Sequence, residues 1–273
     1  MKRLRLLRDL LLVRGRSYSY GHHSSQRADL HLPAGPGLHP VMVLIHGGSW
    51  RARYSKVVMR ALARDLVGRG WAVWNIEYRR LGEGGGWPAT FEDVAAAIDL
   101  LPDVHPSLDM TRVSVLGHSA GGHLALWAAG RGAIAHGQPG AAPARPRVTV
   151  RRVVAMAPVA DLARAYRDWH GGAVRELMGG SPERLPDRYA AGDPVRLLPV
   201  PMPVLIVHGV LDEVVAIGIS RSYAEAAEAV GADVRLVEIA GAAGRHRAHI
   251  YPGGATWDAV TGWLERASEA ASR

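Results

Sequence analysis

Residues 117–121, Gly-His-Ser-Ala-Gly, constrain the fold of this chain more than any other stretch. A short apolar run at 113–116 comes directly before them, and a helical pattern at 120–129 follows. A strand that turns at once into a helix brings two backbones together, which only small residues at the flanking positions permit. The central serine is then held in a strained conformation, clear of the sheet and at the start of a helix. We therefore predict that Ser119 is a catalytic nucleophile.

Strand-like and helical patterns alternate along most of the chain, which favours βαβ units and a mostly parallel sheet with helices on both faces. Residues 163–199 depart from this alternation and contain several prolines and a Gly-Gly pair. We predict that they form a small lid-like excursion over the strand ends, where α/β folds carry binding residues. The predicted strands lie at 28–32, 41–45, 71–78, 113–116, 153–156, 204–207 and 234–239, and the predicted helices at 57–67, 90–101, 120–129, 220–230 and 257–267.

The 273 residues suit one large α/β domain, and the positive charge is concentrated at the amino-terminal end. Six basic side chains against one Asp in residues 1–16 supply five of the eight net positive charges. We predict a basic extension over residues 1–25, disordered or helical, followed by the domain over residues 26–273. The remaining charge follows no nucleic-acid-binding motif, so nucleic acid is not an expected partner.

The sequence predicts neither a membrane span nor a metal site. No window approaches the ~20 apolar residues of a membrane span, and Arg8 and Asp9 break the apolar runs that a signal peptide would need. These features predict a cytoplasmic protein. The absence of cysteine excludes disulfides, a thiol nucleophile and thiolate metal sites. The His22-His23 pair has no third ligand at a suitable spacing.

A predicted strand runs directly into a His-Gly-Gly-Ser-Trp sequence at residues 46–50. Acyl transfer requires backbone N–H donors aimed at a developing oxyanion, and glycines allow a loop to approach closely. His46 is predicted to brace this loop rather than to act as a base, and the alternative for the glycine pair is an ordinary turn. The predicted donors are the N–H groups of Gly47, Gly48 and Ala120, with Ser49 as a further candidate.

His-Gly-Gly-Ser-Trp followed by Gly-His-Ser-Ala-Gly-Gly resembles the α/β-hydrolase superfamily, and within it the branch of small esterases and kynurenine-formamidase-like enzymes. Residues 74–79, which end in Glu-Tyr-Arg, resemble the strand that follows the His-Gly-Gly loop in that branch. The resemblance covers residues 26–264. It implies an α/β-hydrolase fold with an eight-stranded sheet, and hydrolysis of an ester or an amide.

In that superfamily the acid of the triad follows the nucleophile along the chain and precedes the histidine. Asp212 lies in the loop after the predicted strand 204–207, where the acid is expected. An acid at this position would hold the imidazole in one tautomer and stabilise its charged form. The adjacent Glu213 and, more weakly, Asp161 are the alternatives, although an Asp that follows a strand is commonly a helix cap.

The sequence leaves two candidates for the base. The predicted strand 234–239 is followed by Ala-Gly-Ala-Ala-Gly-Arg-His-Arg-Ala-His, in which His246 takes the position of the family's histidine. His249 is the alternative. Arg245 and Arg247 flank His246, and cations on both sides disfavour the protonation that a general base must undergo.

We place Trp50 and Trp169 near an acyl pocket, with Ser49 and His118 as further pocket residues and with the His118 ring turned away from the base. The pattern predicts a serine hydrolase that cleaves a carboxylic ester of a small substrate through an acyl-enzyme on Ser119, without a cofactor. The first alternative is arylformamidase-type hydrolysis of the amide in N-formylkynurenine, which uses the same machinery. The second is a non-catalytic ligand-binding protein on the hydrolase fold, because such proteins commonly lose the histidine.

Overall fold

The computed structural model describes residues 15–169 and 171–270. The strands in this part of the chain are β1 Arg16–Ser19, β2 Arg27–His31, β3 His39–Ile45, β4 Ala72–Ile76, β5 Leu108–His118, β6 Val150–Met156, β7 Val204–Gly209 and β8 Val234–Ile239. They form one eight-stranded sheet in the order β1-β2-β4-β3-β5-β6-β7-β8. β2 runs antiparallel to β1 and to β4, and the other neighbours are parallel. The predicted α/β-hydrolase fold with a mostly parallel sheet is confirmed.

Helices cover both faces of the sheet, as predicted. They are α1 Arg60–Gly68, α2 Ala89–Asp99, α3 Ala120–Gly130, α4 Leu162–Asp168, α5 Gly172–Met178, α6 Pro186–Gly192, α7 Gly218–Ala229 and α8 Ala255–Ala270. Successive side chains of β3 point to opposite faces, so Val43 packs into one core and Met42 and Leu44 into the other. α1 and α8 close the core that holds Met42, whereas α2, α3 and α7 close the opposite core. Burial on both faces explains why the central strands are almost continuously apolar.

Most boundaries lie one to three residues from the predicted ones, and two larger differences have a local reason. β5 begins at Leu108 rather than at residue 113, because its first part pairs with β3 although it carries polar side chains. The predicted helix 57–67 is divided into a 3₁₀ helix, Lys56–Met59, and α1. The other 3₁₀ helices of the described residues are Leu101–Asp103, Arg131–Ala133, Pro194–Leu197, Gly241–Gly244 and His246–Ile250.

The predicted domain boundary at residue 26 is wrong. β1 pairs with β2 at the edge of the sheet, with Arg16 opposite Leu30, so the domain already includes residue 16. The Tyr18 ring packs edge-on against Trp74 at 5.6 Å between centroids. The polar pattern Arg-Ser-Tyr-Ser of this exposed strand gives no alternation by which it could be recognised. The rest of the predicted basic extension, residues 1–14, lies outside the described residues.

The stretch at 163–199 consists of α4, α5, α6 and a 3₁₀ turn between β6 and β7. The Nε1 of Trp127 on α3 donates to the carbonyl oxygen of Ala191 at 2.9 Å. Arg51, in the loop after β3, forms a two-bond ion pair with Glu176 on α5. Because that loop follows the carboxyl end of β3, these contacts place the excursion beside the carboxyl ends of the strands.

Candidate active site

Ser119 stands at the junction of β5 and α3 in a strained backbone conformation, with φ 55° and ψ −120°. Its N–H donates to the carbonyl oxygen of Met156 at 2.8 Å, which ties the turn to the end of β6. A Cβ on Gly117 would lie 2.0 Å from the carbonyl oxygen of Gly121, and a Cβ on Gly121 would lie 2.1 Å from that of Ile45. The two glycines are therefore required sterically for the elbow that presents the serine.

The structure pairs His246 with Asp212. Nδ1 of His246 lies 2.7 Å from Oδ2 of Asp212. The other carboxylate oxygen accepts the N–H groups of Val214 and Val215, each at 2.9 Å. Burial alone raises the pKa of Asp212, but hydrogen bonds from His208, His246 and Val215 outweigh it and hold the pKa well below its ordinary value. Asp212 is thus an ionised acceptor for the imidazole.

The arginines beside His246 do not share its environment. His246 begins a 3₁₀ helix, His246–Ile250, and its side chain is 9% exposed. Arg245 and Arg247 are both exposed, so solvent screens their charges. The folded chain thus exposes Arg245 and Arg247 to solvent while it buries the imidazole of His246.

His249 lies on the same 3₁₀ helix but does not reach the acid. It is fully buried, and within the described residues neither ring nitrogen has a hydrogen-bond partner. Burial lowers its pKa to about 4. The structure thus brings Asp212 together with His246, whereas His249 makes no hydrogen bond to Asp212.

His118 connects the segment that holds His246 to the elbow. Its ring lies 4.6 Å from that of His246 between centroids, and its Nε2 donates to the carbonyl oxygen of His246 at 3.0 Å. The expectation that this ring turns away from the base is wrong, because the segment after β8 folds back over the end of β5. Burial, followed by the neighbouring His246 and His249, lowers the pKa of His118 well below its ordinary value. A neutral His118, the residue directly before Ser119, therefore packs against His246.

The loop after β3 lies against Ser119. A Cβ on Gly47 would lie 2.6 Å from the carbonyl oxygen of His118 and 3.0 Å from Cβ of Ser119. Gly48 has φ 114°, and a Cβ on it would lie 2.4 Å from the Tyr54 side chain. Ala120 begins α3, where N–H groups have no acceptor within the helix. The three predicted oxyanion donors thus belong to backbone that borders the serine.

His46 supports this loop through hydrogen bonds to Gly47 and Glu77. Its Nδ1 lies 2.7 Å from the carbonyl oxygen of Gly47, and its Nε2 lies 2.5 Å from Oε1 of Glu77. Its ring stacks on that of Tyr78 at 4.4 Å between centroids. Sequence reasoning missed Glu77, although this carboxylate directly follows an apolar strand in the segment that resembles the family.

The remaining pocket candidates separate into two groups. Ser49 is half-buried beside Gly48, and Trp169 is half-buried at the end of α4. Trp50, by contrast, is 1% exposed and packs edge-on against His123 at 5.4 Å between centroids. The placement of Trp50 in an acyl pocket is therefore wrong: its side chain belongs to the core between the loop and α3.

The two alternative acids have other partners. Oδ1 of Asp161 accepts the N–H of Arg164 at 2.7 Å and caps α4. Glu213 is exposed, and its nearest bond is a long one of 3.5 Å from the N–H of His246. Neither carboxylate contacts an imidazole nitrogen among the described residues.

A second histidine, His208, contacts Asp212 and was not predicted. It is fully buried at the end of β7, with Nδ1 2.7 Å from Ser220 and Nε2 2.8 Å from the carbonyl oxygen of Val215. The same Nε2 lies 3.5 Å from Asp212. Its position four residues before Asp212 was the available signal.

In residues 15–169 and 171–270, no three His, Asp or Glu side chains are grouped as metal ligands. Over the same ranges, the longest helices lack the length and apolarity that crossing a bilayer requires.

The sheet order and the strand–elbow–helix unit define an α/β hydrolase. Within that class, the family model BD-FAE matches residues 28–226, and the chain belongs to the BD-FAE family.

Solved structures resemble this chain over nearly its whole length. A truncated form of a carbohydrate esterase from gut microbiota has a TM-score of 0.78 at 21% identity, covering 93% of this chain and 96% of that one. Esterase B from Lactobacillus rhamnosis has a TM-score of 0.79 at 20% identity, covering 98% of this chain and 92% of that one. At these identities the likeness establishes the fold.

The curated relatives are plant proteins. Isoprenylcysteine alpha-carbonyl methylesterase ICME from Arabidopsis thaliana is 28% identical over 246 residues, which are 83% of this chain and 55% of that protein. The probable isoprenylcysteine alpha-carbonyl methylesterase ICMEL2 from the same plant is 32% identical over 112 residues, 40% of this chain and 26% of that protein. The chain therefore spans about half the length of the first relative and about a quarter of the second.

Proposed function

We propose that this chain is a serine hydrolase that cleaves a carboxylic ester of a small substrate through an acyl-enzyme on Ser119. The observation that carries the proposal is the 2.7 Å bond between Asp212 and Nδ1 of His246, in a segment that packs on the elbow through His118. A carboxylate on Nδ1 fixes the tautomer in which Nε2 accepts a proton.

In the first half-reaction, His246 takes the proton of Ser119 while the serine oxygen bonds to the ester carbonyl carbon. The N–H groups of Gly47, Gly48 and Ala120 stabilise the negative charge on the former carbonyl oxygen. The tetrahedral intermediate then collapses, and the alcohol leaves with the proton from His246. In the second half-reaction, His246 takes a proton from a water while the water oxygen bonds to the acyl carbon. The bond from that carbon to the Ser119 oxygen then breaks, His246 returns the proton to Ser119, and the acid leaves.

The relatives support an ester rather than an amide. The curated relatives are named methylesterases, and the solved structures cited above are named esterases. Formamide hydrolysis remains the second candidate on chemical grounds, since the same donors and base serve both carbonyls. Relative rates on N-formylkynurenine and on short acyl esters decide between the two substrates.

Turnover of p-nitrophenyl acetate by Ser119→Ala tests the proposal. We expect the activity to fall to the uncatalysed background while circular dichroism shows a folded protein. Ser114→Ala is the matched control, because Ser114 is a buried serine on the same strand and should be dispensable. Activity retained in Ser119→Ala would contradict the proposal.

Labelling by a fluorophosphonate probe separates the enzyme from a non-catalytic binding protein. We expect the wild type and Ser114→Ala to be labelled and Ser119→Ala to remain unlabelled. An unreactive wild type would favour the binding protein, because the probe needs an activated serine and not merely a pocket.

A further inference from the structure

The loop beside the nucleophile rests on a buried histidine–carboxylate pair that the proposed mechanism does not use. His46 and Glu77 meet at 2.5 Å between Nε2 and Oε1, with side-chain exposures of 1% and 9%. The other ring nitrogen of His46 lies 2.7 Å from the carbonyl oxygen of Gly47. One imidazole therefore connects a carboxylate to the backbone of the proposed oxyanion site.

Both partners of the His46 ring are hydrogen-bond acceptors. A carbonyl oxygen has no hydrogen to donate, so Nδ1 must carry the hydrogen of the bond to Gly47. Glu77 accepts the N–H of Lys56 at 3.0 Å and pairs with Arg80 at 2.9 Å, and neither of these partners depends on the protonation of His46. Burial raises the pKa of Glu77, but hydrogen bonding and the positive charge of Arg80 act against burial and the pKa is lowered, so Glu77 is ionised. Nε2 must therefore carry a hydrogen as well, which makes the ring an imidazolium cation.

The carbonyl of Gly47 and the N–H of Gly48 belong to one trans peptide group. Such a group is planar, and its C=O and N–H point in opposite directions. Because His46 fixes the carbonyl on one side, the Gly48 N–H is fixed toward the other. The adjacent positive charge also polarises the peptide, and hydrogen bonds in a chain strengthen one another.

We propose that His46, held as an imidazolium by Glu77, is a positioning residue that aims and polarises the Gly48 N–H at the oxyanion. This inference rests on the proposed acyl transfer at Ser119. Tyr78 completes the arrangement, because its ring stacks on His46 within 11° of parallel and its hydroxyl donates to the His46 carbonyl oxygen at 2.9 Å. The face of an aromatic ring attracts a cation.

Glu77→Gln removes the counter-charge while nearly preserving the volume of the side chain. We expect kcat on p-nitrophenyl acetate to fall by roughly 10²-fold, near the loss of one oxyanion donor, with KM little changed because the donor acts on the developing charge. The matched control is Glu83→Gln, which removes a carboxylate bonded to the same Arg80 at 2.6 Å. We expect that control to keep both kcat and KM.

Two substitutions of His46 separate orientation from charge. In His46→Asn the amide can still donate to the Gly47 carbonyl but carries no charge, whereas His46→Ala does neither. We expect kcat to fall furthest in the alanine variant and to be partly rescued in the asparagine variant, at comparable melting temperatures. Equal kcat in the two variants would overturn the orienting role.

The ¹⁵N spectrum of histidine-labelled wild-type protein at pH 8 reads the charge directly. We expect one ring with both nitrogens protonated, absent in His46→Asn and present in Ser119→Ala. A neutral His46 ring, or equal kcat losses in Glu77→Gln and Glu83→Gln, would overturn the proposal. The spectrum is taken on the resting protein, so a wild type that hydrolyses no ester would refute the proposed function without altering what the spectrum reports about His46.

Discussion

Two buried histidine–carboxylate pairs lie beside the nucleophile elbow, and they differ in what surrounds the ring. His246 is bonded through Nδ1 to Asp212 at 2.7 Å, and its side chain is 9% exposed. His46 lies 2.5 Å from Glu77, is bonded through its second nitrogen to Gly47, and is 1% exposed. In the proposed mechanism, one nitrogen of His246 is free to transfer a proton, whereas both ring nitrogens of His46 are hydrogen-bonded.

The carboxylates are supported in correspondingly different ways. Asp212 is held by the backbone N–H groups of Val214 and Val215, with no arginine bonded to it among the described residues. Glu77 is paired with Arg80, which also bonds to Glu83. In the proposed mechanism, the same kind of residue pair therefore carries a proton in one place and holds a hydrogen-bond donor fixed in the other. Which of the two it does depends on whether the ring's second nitrogen faces a reactant or a carbonyl oxygen.

The largest expected effect comes from the acid of the first pair. In Asp212→Asn the amide no longer selects the imidazole tautomer or stabilises its charged form, and we expect kcat to fall by about 10³–10⁴-fold. Turnover of p-nitrophenyl acetate measures the loss. Asp161→Asn is the matched control, because it makes the same change at a helix cap, where asparagine also caps well. Comparable losses of kcat in the two variants would contradict the assignment of Asp212 as the triad acid and Asp161 as a helix cap.

The next effect concerns the loop that the second pair supports. In Gly48→Ala the new Cβ would lie 2.4 Å from Tyr54 at a φ of 114°, so the loop must move. We expect kcat to fall by roughly 10²–10³-fold, as for a lost oxyanion donor. Gly35→Ala has a similar φ of 100° but no atom within 4 Å of the Cβ. We expect it to lose about 1 kcal/mol of stability and no activity, and an equal kcat loss in both would point to backbone strain alone.

The elbow and the glycine loop could be predicted because their requirements are local and steric. A strand that turns at Ser119 needs small residues at fixed offsets, and those offsets are visible in the sequence. Asp212 is the predicted acid because of its order along the chain. Glu77 could not be found in this way, because its role depends on contacts with His46 and Arg80, which only the folded sheet brings together.

Exposure was the other property that the sequence did not supply. Arg245 and Arg247 were expected to hinder the base, but they face solvent while His246 is buried between them. Trp50 was expected near a pocket, but the positive φ values of Gly48, Ser49 and Trp50 turn its side chain into the core. Both errors arose because a short irregular segment has no periodicity from which burial can be read.

A third buried histidine, His249, differs from both pairs because, within the part of the chain that the structure describes, its ring is not bonded to a carboxylate. Burial lowers its pKa to about 4 from an ordinary 6.5, so the unfolded chain takes up the proton first as the pH falls. The stability it contributes is therefore present above pH 6.5 and lost progressively between about pH 6.5 and 4, by an amount on the order of 3 kcal/mol. We expect His249→Leu to unfold at a temperature that varies less over this range.

The melting temperatures of His249→Leu and the wild type at pH 5 and pH 7.5 measure this dependence. His136→Leu is the control, because His136 is exposed and should leave the dependence unchanged. Identical dependence in the wild type and His249→Leu would show that His249 is as well solvated in the folded chain as in the unfolded one.

The smallest expected effect concerns the ion pair between Arg51, which follows the loop glycines, and Glu176 on α5. The side chains are 37% and 49% exposed, and exposed pairs contribute about 0–1 kcal/mol. We expect Arg51→Gln, Glu176→Gln and the double variant to show equal, small losses in kcat/KM, since each removes the same link between the loop and the excursion. The pair of Arg147 with Asp103, 61% and 54% exposed, is the matched control and should leave kcat/KM unchanged. If neither ion pair affects kcat/KM, the loop of Gly47 and Gly48 depends on His46 and Glu77 and not on the excursion. The loop would then differ further from the pair of His246 and Asp212.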